Sequence, residues 1–528
     1  MKKIVTIIII INILINIFFI VKPIKTYQNN LIKNNDLIKS QTINIMDDYK
    51  EENFYINVNN KKIKTSLDKS SFKNYKPGIY YVNYKVKVND YLTVDNLQKI
   101  VVKDNIKPVI NIKDETIIKD DIYYENKVYA ADNVDGDISD KVDIKGSVDT
   151  SKIGEYKVIY TVKDSSNNVT KKEKIVNVVE DEDIEIEEPW YLEYDNTIIK
   201  MKYIENKIYI EFYLKEKKDN LKVILDNKEF ETVKLTNNIY STLIDINDIN
   251  NGIYTIKIKD ENNYNLLSNL EEKYRLIRTK INDKLVTFIY NENEVNIKIE
   301  DFKYEYDILI DPGHGGSDIG ASVHNITEAE INLRQSLYEK KRYEEHGLKV
   351  FIIRDNDTYG ITYGSDDIPN ITKRAYAVGY YGTVSKIVYS NHQNSSRDKS
   401  MFGWEILVPC TLTYEDLSTE HLIAKDFNEI YDITDNNKRM YARDYDSEII
   451  YNKINGEVYN FKDYYAVNRE PLHKFNVKSP IYEHAYLSND ENFNWYIIEE
   501  NYKKISEIKI KHYVESLNIK YKKVNDEK

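Results

Sequence analysis

Asp307-Ile-Leu-Ile-Asp-Pro-Gly-His-Gly-Gly316 is a short apolar run that breaks into a proline, three glycines and a histidine. The segment Asp307–Ile310 has the length and composition of a buried strand. Glycines on both sides of His314 let the backbone turn sharply and leave room beside the imidazole. A second stretch behaves alike: Lys386-Ile-Val-Tyr-Ser390 runs into Asn391-His392-Gln393-Asn394. Both histidines fall just past the C-terminal ends of candidate strands, where open α/β sheets place their sites.

Outward from these two points, apolar runs alternate with helical patterns, which predicts an α/β domain over 304–517 with a central sheet flanked by helices. Candidate strands are Asp307–Ile310, Lys349–Ile353, Lys386–Tyr389, Glu405–Val408 and Pro480–Tyr482. Candidate helices are Glu328–His346, Asn370–Tyr381, Thr413–Tyr431 and Asp490–Ser516. All eight histidines lie between His314 and His512, so any imidazole chemistry belongs to this domain. His324, His346, His421, His473 and His512 read as solvated or capping residues, and His484 as unremarkable beyond its place in the chain.

A metal held by His314 and His392 needs a third donor. Cys410 is the only cysteine, so zinc sites built on paired thiolates are excluded, as are intrachain disulfides, and the donor should be a carboxylate. Thr327-Glu-Ala-Glu-Ile-Asn-Leu333 offers two. Thr327 followed three residues later by Glu330 is a capping box, which gives Glu330 a structural task and leaves Glu328 as the ligand. A negative charge in the first turn also suits the helix dipole. Two His and one Glu with an open position form a recognised arrangement for catalytic zinc (Zn2+).

The region upstream has a different texture. Period-2 alternation in short runs from Thr42 to about Asp181 predicts half-buried strands. Lys76-Pro-Gly-Ile-Tyr-Tyr-Val-Asn-Tyr-Lys-Val86 recurs as Lys152-Ile-Gly-Glu-Tyr-Lys-Val-Ile-Tyr-Thr-Val162, 76 residues further on. That period suggests tandem all-β sandwiches over 42–104 and 105–180. Asn251-Gly-Ile-Tyr254 echoes the pattern within a third, divergent β domain over 190–300. Glu180 to Pro189 is an acidic run that reads as a linker. The Asp-rich stretch from Asp132 to Asp140 lacks EF-hand spacing and reads as a polar turn rather than a calcium loop.

Met1-Lys2-Lys3 precedes an apolar run from Ile4 to Val21. This is an export signal over 1–25, and the rest of the chain works outside the cytoplasm. The absence of a small-x-small cleavage site favours a retained membrane anchor over secretion. A net charge of -12 argues against a nucleic-acid partner and against ionic capture by an anionic cell wall. The 47 tyrosines accompany abundant Ile, Asn and Lys, the residues of AT-rich codons, and are not read as a binding surface.

These residues carry a resemblance. Asp311-Pro-Gly-His-Gly-Gly-Ser-Asp-Ile-Gly-Ala321, Glu328-Ala-Glu-Ile-Asn-Leu333, Tyr389-Ser-Asn-His-Gln-Asn394 and Pro480-Ile-Tyr-Glu-His-Ala-Tyr-Leu-Ser-Asn489 resemble, in order, motifs of the zinc-dependent N-acetylmuramoyl-L-alanine amidases. Arg354, Arg374 and Gly403-Trp-Glu405 are similar to further segments of that family. The resemblance implies zinc bound by His314, Glu328 and His392, Glu483 as the catalytic acid/base, and peptidoglycan as partner and substrate. It implies cleavage of the amide between the lactyl group of N-acetylmuramic acid and L-alanine. Two alternatives stay open: a non-catalytic surface-binding protein with a degenerate amidase domain, and a zinc peptidase or amidase acting on another wall bond. Residues 105–180 resemble the bacterial Ig-like repeats of surface proteins, through Asp104-Asn-Ile-Lys-Pro-Val109, Ala131–Ser139 and Gly154–Asp164. Departures from the amidase pattern are Asn391 and Gln393, where the family has Ile and Ala, and apparent insertions at Tyr359–Ile368 and Thr434–Tyr465.

Overall fold

The computed structural model describes residues 40–524 other than 48, 51–54, 59–60, 65, 70, 90–91, 113, 120–122, 124–127, 181–198, 205–206, 214–219, 235–238, 247–248, 261–274, 292–293, 363–369, 410–411, 434–438, 444–449 and 453–462. The export segment and the acidic linker after Glu180 lie outside the described residues. Among the described residues no helix is long and apolar enough to cross a membrane. The chain divides into two units, Met1–Asn105 and Ile106–Lys528.

The sequence repeat is a repeat of sheet topology. In the first unit a four-stranded sheet runs in the order Gln41–Asn44, Leu92–Lys103, Gly78–Asn89, Ser66–Asp68. In the second unit Glu115–Ile118, Val169–Val179, Gly154–Lys163 and Asp143–Lys145 take the same order. In both sheets the first strand is parallel to its neighbour and the remaining pairs are antiparallel. The Gly-x-Tyr element has a local cause: Tyr80 donates its hydroxyl to the carbonyl of Lys76 at 2.9 Å and Tyr156 to that of Lys152 at 2.9 Å. The third echo does the same, Tyr254 donating to the carbonyl of Asn250 at 2.8 Å. Each tyrosine therefore pins the turn that feeds its own strand. Asp132 is bonded within its turn, accepting from the backbone N–H groups of Val134 and Asp135 at 2.9 and 3.0 Å.

Between Ile199 and Asp301 a four-stranded and a six-stranded sheet share one apolar core, including Ile208, Phe212, Val223, Ile256, Val286 and Phe288. The edge strand Arg275–Ile281 meets the C-terminal domain directly. Arg278 Nε donates to the Tyr380 carbonyl at 2.6 Å, and the Thr383 hydroxyl donates to the Arg278 carbonyl at 3.1 Å. The Arg278 guanidinium also lies 3.6 Å from the Tyr380 ring centroid, a cation–π contact.

The C-terminal domain is a mixed seven-stranded sheet flanked by helices. Its elements are β1 (Tyr306–Pro312), α1 (Glu328–Glu345), β2 (Val350–Ile352), α2 (Asn370–Gly382), β3 (Ser385–Asn394), β4 (Glu405–Leu407), α3 (Ser418–Tyr431), β5 (Met440–Arg443), β6 (Ile450–Asn452), α4 (Ala466–Phe475), β7 (Ile481–Tyr486), α5 (Asp490–Tyr496) and α6 (Glu499–Ser516). The sheet order is β2-β1-β3-β7-β4-β5-β6. The first four strands are parallel, β4 runs antiparallel to β7, and β5 and β6 extend the far edge. Ile308, Ile310, Tyr389 and Tyr482 pack with residues of α1, α3, α5 and α6 into the main core.

Five readings from the sequence are corrected. Strand β3 does not stop at Tyr389 but continues to Asn394, so His392 lies within it rather than past its end. Polar Asn391 and Gln393 looked like a strand terminus, yet both are buried and hydrogen-bonded, which lets the ladder continue. Strand β7 likewise extends through Glu483 to Tyr486. The expected helix over 490–516 is broken at Ile497–Ile498 into α5 and α6, and α3 begins at Ser418 rather than Thr413. Helix α4 is not among the helices expected from the sequence; it carries Pro471 inside it, a residue that lacks the N–H an interior turn uses.

Candidate active site

The site is assembled from the ends of β1, β3 and β7 and the first turn of α1. Strand β1 ends at Pro312, and His314 then adopts φ +61, in the left-handed region. Two arginines hold this turn. Arg354 donates to the carbonyls of Pro312 and Gly313, both at 2.9 Å, and to that of Ala329 at 2.7 Å. Arg374 donates to the His314 carbonyl at 2.7 Å and to Asp311 Oδ1 at 2.7 Å. Asp311 is fully buried and also accepts from the Ser390 hydroxyl at 2.6 Å. Burial pushes the Asp311 carboxyl pKa up, but the Arg374 guanidinium outweighs it and holds the pKa below the usual range.

The capping box at the start of α1 is present. Thr327 Oγ1 accepts from the Glu330 N–H at 3.2 Å, and Glu330 Oε2 accepts from the Thr327 N–H at 2.9 Å. Glu328 points the other way and is buried. Its Oε1 lies 3.1 Å from His314 Nε2 and 3.1 Å from His392 Nδ1. Backbone N–H groups of Ala321 and Gln393 donate to the Glu328 carboxylate at 3.0 Å each, and the Asn332 amide reaches it at 3.3 Å. Burial works against its charge, but the two imidazoles outweigh it and keep the Glu328 carboxyl well below the ordinary range. For His314 the same contest, burial against Glu328 and Asp318, ends with its pKa raised; for half-buried His392 the loss of solvation prevails and lowers it.

One donor atom from each of His314, Glu328 and His392 lies within 4.8 Å of the others, a group able to hold a metal ion. The fit is specific. Donors about 2.0–2.2 Å from a tetrahedral zinc stand roughly 3.3 Å apart, close to the spacings found here. The glycines keep the space clear. A Cβ on Gly313 would meet the His392 ring at 2.5 Å, and one on Gly320 would meet Glu328 Oε2 at 2.6 Å. His314 Nδ1 faces Asp318 Oδ1 at 2.9 Å, which fixes the tautomer that leaves Nε2 free as a donor.

Glu483 is the register partner of His392 on one side and of Glu405 on the other. It is 9% exposed, and its Oε2 has no hydrogen-bond partner among the described residues. Burial, with the like charges of Glu328 and Glu405, raises its pKa well above the usual carboxylate value. Glu405 is bonded differently: its oxygens accept from the hydroxyls of Tyr486 and Tyr441 at 2.7 and 2.9 Å and from the Asn394 amide at 2.8 Å. A carboxylate with raised pKa beside a ring of metal-type donors is suited to proton transfer near neutral pH.

All four residues singled out in the sequence, His314, Glu328, His392 and Glu483, thus come together at one end of the sheet. Sequence reasoning did not single out Asp318, Asn332 or Asp311, although Asp318 stands four residues after His314 in the same motif. Of the remaining histidines, His324 is exposed, whereas His346 is buried, taking the N–H of Lys522 on Nε2 at 2.9 Å. His512 pairs with Asp426 at 2.8 Å. His484 is fully buried and far from unremarkable, since its Nε2 lies 3.1 Å from both Asn391 Oδ1 and Lys509 Nζ.

Fold and site together define a mixed α/β domain that gathers a His/Glu/His donor group beside a buried carboxylate. Residues 308–511, nearly all of that domain, match the family model described as N-acetylmuramoyl-L-alanine amidase, and residues 110–178 upstream of it match that of the bacterial surface protein Ig-like domain. Among solved structures, the chain is similar to the catalytic domain of the amidase CwlV from Bacillus (Paenibacillus) polymyxa var. colistinus, with 19% identity over 41% of this chain and 99% of that one, at a TM-score of 0.30. It is similar to the Clostridioides difficile amidase CwlD, whose structure is a complex with the GerS lipoprotein, with 18% identity over 40% of this chain and 99% of that one, at a TM-score of 0.31. A third is the amidase AmiC2 of Nostoc punctiforme, with 18% identity, 41% and 99% coverage and a TM-score of 0.30. No curated protein matches the chain.

Proposed function

We propose that this protein is a peptidoglycan hydrolase that cleaves the amide between the lactyl group of N-acetylmuramic acid and L-alanine, using zinc held by His314, Glu328 and His392. The observation that carries the reading is the convergence of those three donors beside Glu483. Zinc bound there supplies Lewis-acid polarisation of the scissile carbonyl and lowers the pKa of water to about 7.

The residues of the chain do the rest. Glu483 takes the proton of the attacking water on its unpartnered Oε2 and passes it to the departing amine of L-alanine. Its raised pKa suits both halves of that task, since the group must accept a proton and then release it. Asp318 holds the His314 ring in one tautomer, and Arg354 and Arg374 hold the turn that carries it. The β modules are spacers or wall-binding modules on the outer side of the membrane, reached by export through residues 1–25, whether these are retained as an anchor or cleaved. Their acidic surroundings leave wall recognition to specific contacts rather than charge.

Mass analysis of digested peptidoglycan, with and without a chelator, tests the reading. Free stem peptides that disappear on chelation are expected. Shortened stems would make the protein a peptidase, and no products at all a binding protein.

A further inference from the structure

His392 and Glu483 occupy one face of adjacent strands, and the neighbouring residues Asn391 and His484 emerge on the opposite face, toward α1 and α6. Sheet–helix interfaces are ordinarily apolar. Here the chain has placed a polar cluster instead. His484 Nε2 lies 3.1 Å from Asn391 Oδ1 and 3.1 Å from Lys509 Nζ. Lys509 Nζ also donates to Asn391 Oδ1 at 2.5 Å and pairs with Glu339 Oε1 at 2.8 Å. Glu339 accepts in addition from the Asn391 amide at 2.8 Å, the Tyr389 hydroxyl at 2.9 Å and the Gln335 amide at 3.0 Å. Lys509, Glu339, Asn391 and His484 are all 0% exposed.

Stability alone does not account for this arrangement. An apolar layer of the same volume is often as stable as a buried ion pair, or more stable by about 1–4 kcal/mol. What hydrogen bonds add is direction: apolar side chains tolerate a slide, whereas these bonds hold in one register only. The need is local, because the β3–β7 register shifts between His392 and Asn394, immediately after the metal-type donor. Burial pushes Lys509 down to about 8 against the pull of Glu339, which leaves it charged at neutral pH.

We propose that His484, tied through Lys509 and Asn391 to α1 and α6, is a positioning residue that locks β3 against β7 and so fixes the place of Glu483 relative to His392. The catalytic part of this inference rests on the amidase reading; the structural part does not. His484→Phe keeps the ring volume and the stacking between Tyr482 and Tyr496, at 5.8 and 6.2 Å, and leaves Lys509 paired with Glu339. In the full chain loaded with zinc, this variant should release stem peptides with kcat reduced about 10–100-fold and KM little changed, since a misplacement of about 1 Å can cost about 10²-fold. His484→Gln, which restores a polar atom, should recover much of the loss. Asn391→Leu should weaken zinc binding about 10-fold, read by competition with a chelator rather than by activity. The proposal is overturned if folded His484→Phe and Asn391→Leu match the parent in both kcat and zinc affinity. Should His484→Phe fail to fold, the paired change Glu339→Gln with Lys509→Met removes both charges together and is judged by the same two readouts. A parent that releases no peptide would sink the amidase reading, while the chelator competition would still decide this one.

Discussion

His392 on β3 and Glu483 on β7 are register partners on adjacent parallel strands, so a metal-type donor and a buried carboxylate are set side by side by the sheet itself. The flanking strand β4 adds Glu405 opposite Glu483. Three such side chains in one row need no loop to bring them together, and rigid elements hold them more tightly than loops do.

Replacing Glu483 by Gln should lower kcat for stem-peptide release by roughly 10²–10⁴-fold with bound zinc unchanged. The same change should stabilise the zinc-free protein at neutral pH. The folded pKa of Glu483 is raised, so its contribution to stability is full below the unfolded value of about 4.3 and is lost as pH rises through the folded value. Thermal unfolding at a series of pH values should show the variant's advantage growing as pH rises. A constant offset would contradict the raised pKa.

Glu405→Gln removes a like charge that raises Glu483. The Glu483 pKa should fall, and because the base must be ionised to act, the acidic limb of the kcat/KM profile should move to lower pH. A limb that stays in place or moves upward would show that Glu405 acts only through its bonds to Tyr441, Tyr486 and Asn394.

Glu328 and Glu330 stand two residues apart and should behave oppositely. Glu328→Gln should abolish stoichiometric zinc. Glu330→Ala breaks only the capping box and should cost about 0.5–2 kcal/mol in denaturant unfolding with zinc retained. Zinc content measured on both purified variants decides the assignment.

Asp318→Asn loosens the hold on the His314 tautomer. Zinc affinity should fall about 10–100-fold in chelator competition. An unchanged affinity would mean that the turn alone orients the ring.

Arg374→Met strands the buried Asp311 carboxylate and should cost about 3–5 kcal/mol. Asp311 has a depressed pKa, so the stability it contributes is present above the unfolded value of about 3.9 and lost as pH falls through the folded one. The parent's denaturation midpoint should therefore decline with acid more steeply than that of Asp311→Asn paired with Arg374→Met.

Much of the C-terminal domain was legible in its sequence. The run into Asp311-Pro-Gly-His314 announced a strand and a turn, and the Thr327–Glu330 spacing separated cap from candidate ligand two residues away. These are short-range effects, governed by backbone torsions and by hydrogen bonds between residues a few positions apart. The same is true of the Gly-x-Tyr turns, where Tyr80, Tyr156 and Tyr254 each bond a carbonyl four residues back.

What the sequence determined by itself was therefore the inventory: which residues carry chemistry, which turns they sit on, and which neighbour is only a cap. The tertiary structure decided the rest. Glu328 meets His392 across 64 residues, and His484 meets Asn391 across 93. Nothing local foretells that polar Asn391 and Gln393 continue a buried strand, because their partners lie on α1, α5 and α6 and exist only once those helices have packed. A polar residue in a strand reads as an end until its hydrogen bonds are known, and only the folded chain supplies them.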